Sequence, residues 1–204
     1  MTKVKICGLT EEAHVRAAVE AGADAIGFVF APSRREISVD DAKRLAAIIP
    51  GNVLKIGVFV NASQEALREV YQIVGLDYIQ LHGEETPEFI KKVGLPTIKA
   101  FSVKEIADVH KALQYDVDYY LFDAPGIVYK GGSGIPFDWT LLQNSGIPKE
   151  KLILAGGLHT ENVREATRRV QPFMVDVSSG VEKNKRKDEL LIQAFMKTVR
   201  DEES

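Results

Sequence analysis

Eight times along the chain a short apolar run ends in a small or polar residue and gives way to a stretch with helical apolar spacing. The runs are Val4–Cys7, Ala25–Phe30, Lys55–Val60, Tyr78–His82, Thr97–Phe101, Tyr119–Asp123, Leu152–Gly156 and Phe173–Ser178. Such runs alternating with helical segments predict βαβ units and a parallel sheet. Eight units predict a closed α/β architecture, a single-domain (β/α)8 TIM barrel over residues 1–204. Ser38, with Asp41 three residues later, predicts a capped helix start, and Ala42, Leu45, Ala46 and Ile49 form the stripe that follows. Leu67, Val70, Tyr71 and Val74 repeat it, as do Val163, Ala166 and Val170, and then Leu190, Leu191, Ala194 and Phe195. These stripes are expected to cover the outside of the strand ring. The chain has 204 residues, short for a fold that typically has about 250, which predicts a compact barrel with short loops. One or two stunted helices are expected, first of all after Phe101, where the pattern is weak.

A parallel barrel places its working residues at the C-terminal ends of its strands. Those ends carry Cys7, His82, Asp123, Gly156-Gly157 and Ser178-Ser179-Gly180. Side chains alternate faces along a strand, so Lys5 shares a side with Cys7, and Gln80 with His82. An inward Lys5 needs a partner, because an unpaired buried ammonium is very costly. Asp176 on the last strand is the candidate. A lone cysteine is more often a small buried hydrophobe than a catalyst. At the barrel mouth, Cys7 becomes a candidate general base if its surroundings favour thiolate. Asp123 is either a turn cap or a site acid. His82 is equally readable as a satisfied histidine or a catalyst.

The two glycine-containing loops after the seventh and eighth strands fit a phosphate, held by backbone N–H groups and a helix N-terminus. Arg35 is either solvated or a bidentate grip on a carboxylate. The stretch Lys130–Gly134 is either a plain surface loop or a lid over ligand. The four histidines are scattered and lack metal-ligand spacing.

Composition narrows the field. The net charge of −3 indicates no general polyanion surface, hence no nucleic acid. No basic segment followed by an apolar run opens the chain, and no stretch approaches the roughly 20 apolar residues a bilayer span needs. A single cysteine excludes an intramolecular disulfide. The expectation is a soluble cytoplasmic protein without membrane partners.

The motifs Val4-Lys5-Ile6-Cys7-Gly8, Gly27-Phe28-Val29-Phe30, Gly57-Val58-Phe59-Val60-Asn61 and Gln80-Leu81-His82-Gly83 resemble the phosphoribosylanthranilate isomerase family. So do Gly131-Gly132-Ser133-Gly134, Phe137-Asp138-Trp139, Ala155-Gly156-Gly157-Leu158 and Val175–Glu182. They come in order and span nearly the whole chain. The resemblance implies an Amadori rearrangement in tryptophan biosynthesis, without a cofactor. Carried over, Cys7 is the general base, Asp123 the general acid and Arg35 the anchor for the anthranilate side. Gln80, His82, Gly132 and Asp176 would contact substrate, and Gly156, Gly157, Ser179 and Gly180 the ribose phosphate. The implied partners are the phosphoribosyl anthranilate substrate and neighbouring tryptophan-pathway enzymes.

Two departures stand out. Lys185 occupies a stretch where the family often has Gly, before Lys187-Asp188, and Thr160 replaces a common proline, offering a capping hydroxyl. A nearby cation is expected to lower the Cys7 pKa. Three rival readings are an aldolase using Lys99 as a Schiff-base amine, a flavin-binding barrel, and a catalytically silent ligand-binding barrel.

Overall fold

The computed structural model describes residues 1–125, 137–143 and 145–201. Eight parallel strands close a barrel in sequence order: β1 (Lys3–Cys7), β2 (Ala25–Val29), β3 (Leu54–Phe59), β4 (Tyr78–Leu81), β5 (Thr97–Ser102), β6 (Tyr119–Asp123), β7 (Leu152–Leu154) and β8 (Met174–Val177). The ring is completed by pairing of β1 with both β2 and β8. The described residues contain seven α-helices: α1 (Glu12–Glu20), α2 (Val39–Ala46), α3 (Gln64–Val74), α4 (Pro87–Val93), α5 (Ile106–Ala112), α6 (Val163–Val170) and α7 (Glu189–Asp201). Two short antiparallel strands, β9 (Glu182–Lys183) and β10 (Arg186–Lys187), form a hairpin between β8 and α7. No helix among the described residues is long and apolar enough to cross a membrane.

Strand alternation makes two cores. Ala25, Ile56, Ile98, Ala100, Leu121, Ile153 and Met174 pack together inside the ring. Val4, Ile6, Phe28, Leu81, Phe122 and Val175 belong to the larger cluster between strands and helices. Tyr119 stacks on Phe173 at 5.0 Å and meets Tyr78 edge-on at 5.5 Å. The apolar interior gives way toward the mouth to a polar tier with Lys5, Gln80, Asp123 and Asp176, all buried.

One device recurs at the strand starts. Asp24, just before β2, accepts the Val4 N–H of β1 at 2.8 Å. Asp77, before β4, accepts from Lys55 of β3 at 2.7 Å, and Asp118, before β6, accepts from Thr97 of β5 at 2.7 Å. Each carboxylate satisfies a backbone donor near the start of the preceding strand. Arg200 of α7 donates to the carbonyls of Thr2 (2.8 Å) and Gly22 (3.0 Å) and to Asp24 Oδ2 (2.7 Å), holding the last helix to the first strand.

The capped start at Ser38 forms as expected: its hydroxyl accepts from Asp41 N at 3.1 Å and donates to Asp41 Oδ2 at 2.8 Å. Two expectations need correction. The last stripe is right only in part: Phe195 is buried and Leu191 packs against the core, but Leu190 is 74% exposed and Ile192, Met196 and Val199 complete the buried face of α7. Asp188, accepting from Leu191 N at 3.0 Å, sets where that helix begins. The expectation of one or two short helices holds: α5, after Phe101, has 7 residues, and so does α4. Between β6 and β7 the described residues carry no α-helix, only the 3-10 turns Trp139–Leu142 and Lys149–Lys151. Thr160 does not cap α6, whose N-cap is Asn162. Asn162 instead ties the preceding turn, accepting from His159 N and donating to Gly157 O, both at 2.8 Å.

Candidate active site

Cys7 ends β1 at the mouth, buried, with Lys5 one layer below on the same face. The register sets Lys5 beside Asp176 of β8, and the ammonium meets Asp176 Oδ1 at 3.0 Å. The pairing expected from strand alternation is therefore present. Burial alone would drive the Lys5 proton off, but the charges of Asp176 and Cys7 outweigh it and raise its pKa. The Cys7 thiol is pushed up, chiefly by burial, although Lys5 and Lys187 pull it down. The expected depression of the thiol pKa is thus corrected: two cations are near, and desolvation wins.

Asp123 ends β6 and is buried. Its Oδ2 lies 3.4 Å from His82 Nε2, and His82 Nδ1 is 3.3 Å from Gln80 Nε2. Asp123 Oδ1 and Gln80 Oε1 are buried with no hydrogen-bond partner among the described residues. Buried polar atoms are normally paired, so an unpaired carboxylate oxygen at a barrel mouth marks a place for a ligand. Gly156 walls this oxygen: a Cβ there would stand 2.9 Å from Oδ1 and collide with Ala124 N, and its φ of 84° suits glycine. In the ring, β6 is separated from β1 by β7 and β8, so Asp123 and Cys7 approach the mouth from different sides.

The two loops expected to hold phosphate abut each other. Gly180 packs so tightly on the Leu158 carbonyl that a side chain has no room. Ser179–Val181 forms a 3-10 turn, and Ser178 Oγ donates to the Cys7 carbonyl at 3.1 Å.

Arg35 crosses toward the same loop. Its side chain lies over Gly8, where a Cβ would come within 2.6 Å of Cδ. Arg35 Nε and NH2 donate to Glu182 at 2.6 and 3.2 Å, and Arg34 NH2 meets Glu182 Oε2 at 2.5 Å. Lys187 Nζ reaches Glu182 Oε1 at 3.0 Å and the Ser178 carbonyl at 2.7 Å. Burial works to raise the Glu182 carboxyl, but the Arg35 hydrogen bond and the charges of Lys187 and Arg35 hold it at about 2. Burial lowers Lys187 to about 8 despite Glu182 and Cys7. Glu182 and Lys187 were absent from the site drawn from sequence. Glu182 closes the last motif that carries the resemblance, and Lys187 opens the Lys187-Asp188 pair just beyond it, and that placement was the available signal.

Lys99 is accounted for differently. Ile98 and Ala100 line the barrel interior, so Lys99 stands on the outer face. Its ammonium donates to the carbonyls of Leu81, Gly83 and Ala100 at 3.1, 2.8 and 3.1 Å and pairs with Glu85 Oε2 at 3.2 Å. A nitrogen so occupied and so placed does not support the Schiff-base reading. The Lys130–Gly134 stretch, with Gly132, lies outside the described residues. Among the described residues no group of three or more metal-ligating side chains gathers.

The N-(5'-phosphoribosyl)anthranilate (PRA) isomerase family model matches residues 4–198. The chain belongs to the PRA isomerase family. It is 48% identical over 197 residues to N-(5'-phosphoribosyl)anthranilate isomerase of Listeria innocua, covering 97% of each chain. The enzyme of that name from Bacillus cereus is 47% identical over 197 residues, covering 95% of this chain and 96% of the other. A phosphoribosyl anthranilate isomerase crystal structure from Thermotoga maritima superposes with a TM-score of 0.90 at 41% identity, covering 98% of this chain and 100% of that one. Another family structure, at TM-score 0.87 and 40% identity with the same coverage, holds reduced 1-(o-carboxyphenylamino)-1-deoxyribulose 5-phosphate. PRA isomerases thus share this barrel throughout its length.

Proposed function

We propose that this protein isomerises N-(5-phosphoribosyl)anthranilate to 1-(2-carboxyphenylamino)-1-deoxyribulose 5-phosphate in tryptophan biosynthesis, with Asp123 as general acid and Cys7 as general base. Family membership supports the reaction, and the observation that carries the residue roles is the unpaired, buried Asp123 Oδ1 at a mouth that also holds Cys7. Asp123 protonates the furanose oxygen as the C1′–O bond breaks. The iminium that results acidifies the C2′–H, and Cys7 removes that proton. The enolamine then tautomerises to the ketone, its hydroxyl proton leaving as C1′ gains one. Acid and base are each worth about 10²–10⁴-fold. The loops at Gly156-Gly157 and Ser179-Gly180 hold the phosphate through backbone N–H groups. Arg35, aligned by Glu182 and lying over Gly8, takes the anthranilate carboxylate.

Cys7→Ala tests the base. Loss of substrate fluorescence should slow by at least about 10²-fold with the fold retained, and a loss under about tenfold would remove Cys7 from this role. Because burial holds the thiol protonated, wild-type kcat should climb on the alkaline side of neutrality as thiolate forms. A flat profile there, with chemistry rate-limiting, would count against a thiolate base.

A further inference from the structure

We infer that His82, oriented by Gln80, is a positioning residue that returns a proton to Asp123 Oδ2 after each turnover. The inference rests on Asp123 being the acid of the proposed reaction, and it begins from proton balance. Each turnover leaves Asp123 ionised, because its proton has gone to the ring oxygen. It leaves Cys7 protonated, because it has taken the C2′ proton. Tautomerisation moves one proton off the enol oxygen and one onto C1′, so substrate and product balance. The enzyme does not: one proton must leave Cys7 and one must reach Asp123 before the next cycle. Asp123 is 6% exposed and its Oδ1 is the face turned to the ligand, so a partner at Oδ2 offers the proton a second route.

The geometry supplies one. The two carboxylate oxygens face different tasks. Oδ1 lies against Gly156 and has no partner among the described residues, which suits the furanose oxygen. Oδ2 lies 3.4 Å from His82 Nε2, and such contacts tighten when a catalytic complex forms. His82 also lines a cavity of about 400 Å³ whose wall includes Gly83, Phe101, Ser102, Tyr115 and Pro125. The ring therefore meets the buried acid at Nε2 and also lines a space large enough for water.

In the relay step an imidazolium Nε2–H passes its proton to the Asp123 carboxylate, giving neutral imidazole and a carboxylic acid. The imidazole then recovers a proton from water in the cavity, and the Cys7 proton is released to solvent. Gln80, only 1% exposed, meets Nδ1 at 3.3 Å. Its amide can serve either state of the ring, with Nε2 donating to a bare Nδ1 or Oε1 accepting from Nδ1–H. The otherwise unpartnered Oε1 thereby gains a function.

The test uses His82→Ala, His82→Gln and Asp123→Asn in the full-length protein, assayed by loss of substrate fluorescence with and without added imidazole. His82→Ala should lower kcat by about 10²-fold with KM little changed, and imidazole, entering the vacated space beside the cavity, should restore about tenfold. His82→Gln keeps a hydrogen-bonding side chain but cannot carry a proton, so it should stay slow. It also serves if the alanine variant does not fold. Asp123→Asn should be inactive and indifferent to imidazole. The relay alone is overturned if Asp123→Asn is inactive while His82→Ala gains nothing from imidazole, or while His82→Gln matches wild type. It is also overturned if the His82 variants change KM alone, which would make His82 a substrate contact. An active Asp123→Asn overturns the acid assignment and the relay together.

Discussion

At the residue scale, Glu182 is the centre of charge near the mouth. One buried carboxylate receives Arg34, Arg35 and Lys187, leaving a local excess of positive charge where an anionic substrate is expected. Its depressed pKa has a measurable consequence. Between its ordinary value of 4.5 and about 2, the unfolded chain binds more protons at this group than the folded one. Stability from this contact is therefore complete above about pH 4.5 and is lost as pH falls toward 2. In Glu182→Gln, urea midpoints should fall less steeply between about pH 5 and pH 3 than in wild type, and equal slopes would argue against the assignment. The same substitution loosens Arg35 and should raise KM more than it lowers kcat. Lys5 and Asp176 were legible as a pair because strand alternation and the adjacency of the first and last strands bring them together. Glu182 with Arg35 was not legible as a pair, since it joins loops 147 residues apart and no periodicity relates them.

At the element scale, the aspartates before β2, β4 and β6 staple pairs of strands through backbone N–H groups. Asp77→Ala should cost about 1.5 kcal/mol by urea denaturation, the low end for a hydrogen bond to a charged group, because its side chain is 39% exposed. It should leave kcat unchanged, since Asp77 lies at the opposite end of the strands from Cys7 and Asp123. A stability loss below the error of the measurement would show that water replaces the carboxylate without loss. These staples escaped the sequence reading because an aspartate before a strand looks like any polar turn. The helix stripes were readable where one face is apolar, as in α2 and α6. The phase of α7 was not: Leu190 and Leu191 are adjacent apolar residues, and the cap at Asp188 decides which turns inward.

At the scale of the whole molecule, eight apolar runs were enough to give the ring, because a parallel barrel must cover every strand with the segment that follows it. Where the chemistry sits followed from the same rule. What each group does in place depends on burial and on partners distant in sequence, as Cys7 shows: Lys5 and Lys187 favour thiolate, while desolvation, helped by Asp176, opposes it. The grip of Arg200 on Thr2, Gly22 and Asp24 has a further consequence. It holds the end of α7 against the start of β1, so the ring can be closed by a chain that begins elsewhere. A circular permutant with its original ends joined by a short linker and its chain opened at Gly51–Asn52, an exposed turn between stapled strand pairs, should refold and retain activity. Opening it instead at Gly75–Leu76 separates β3 from the Asp77 that staples it, and that permutant should melt at lower temperature. The reverse ranking would mean that the ring does not depend on its strand pairs.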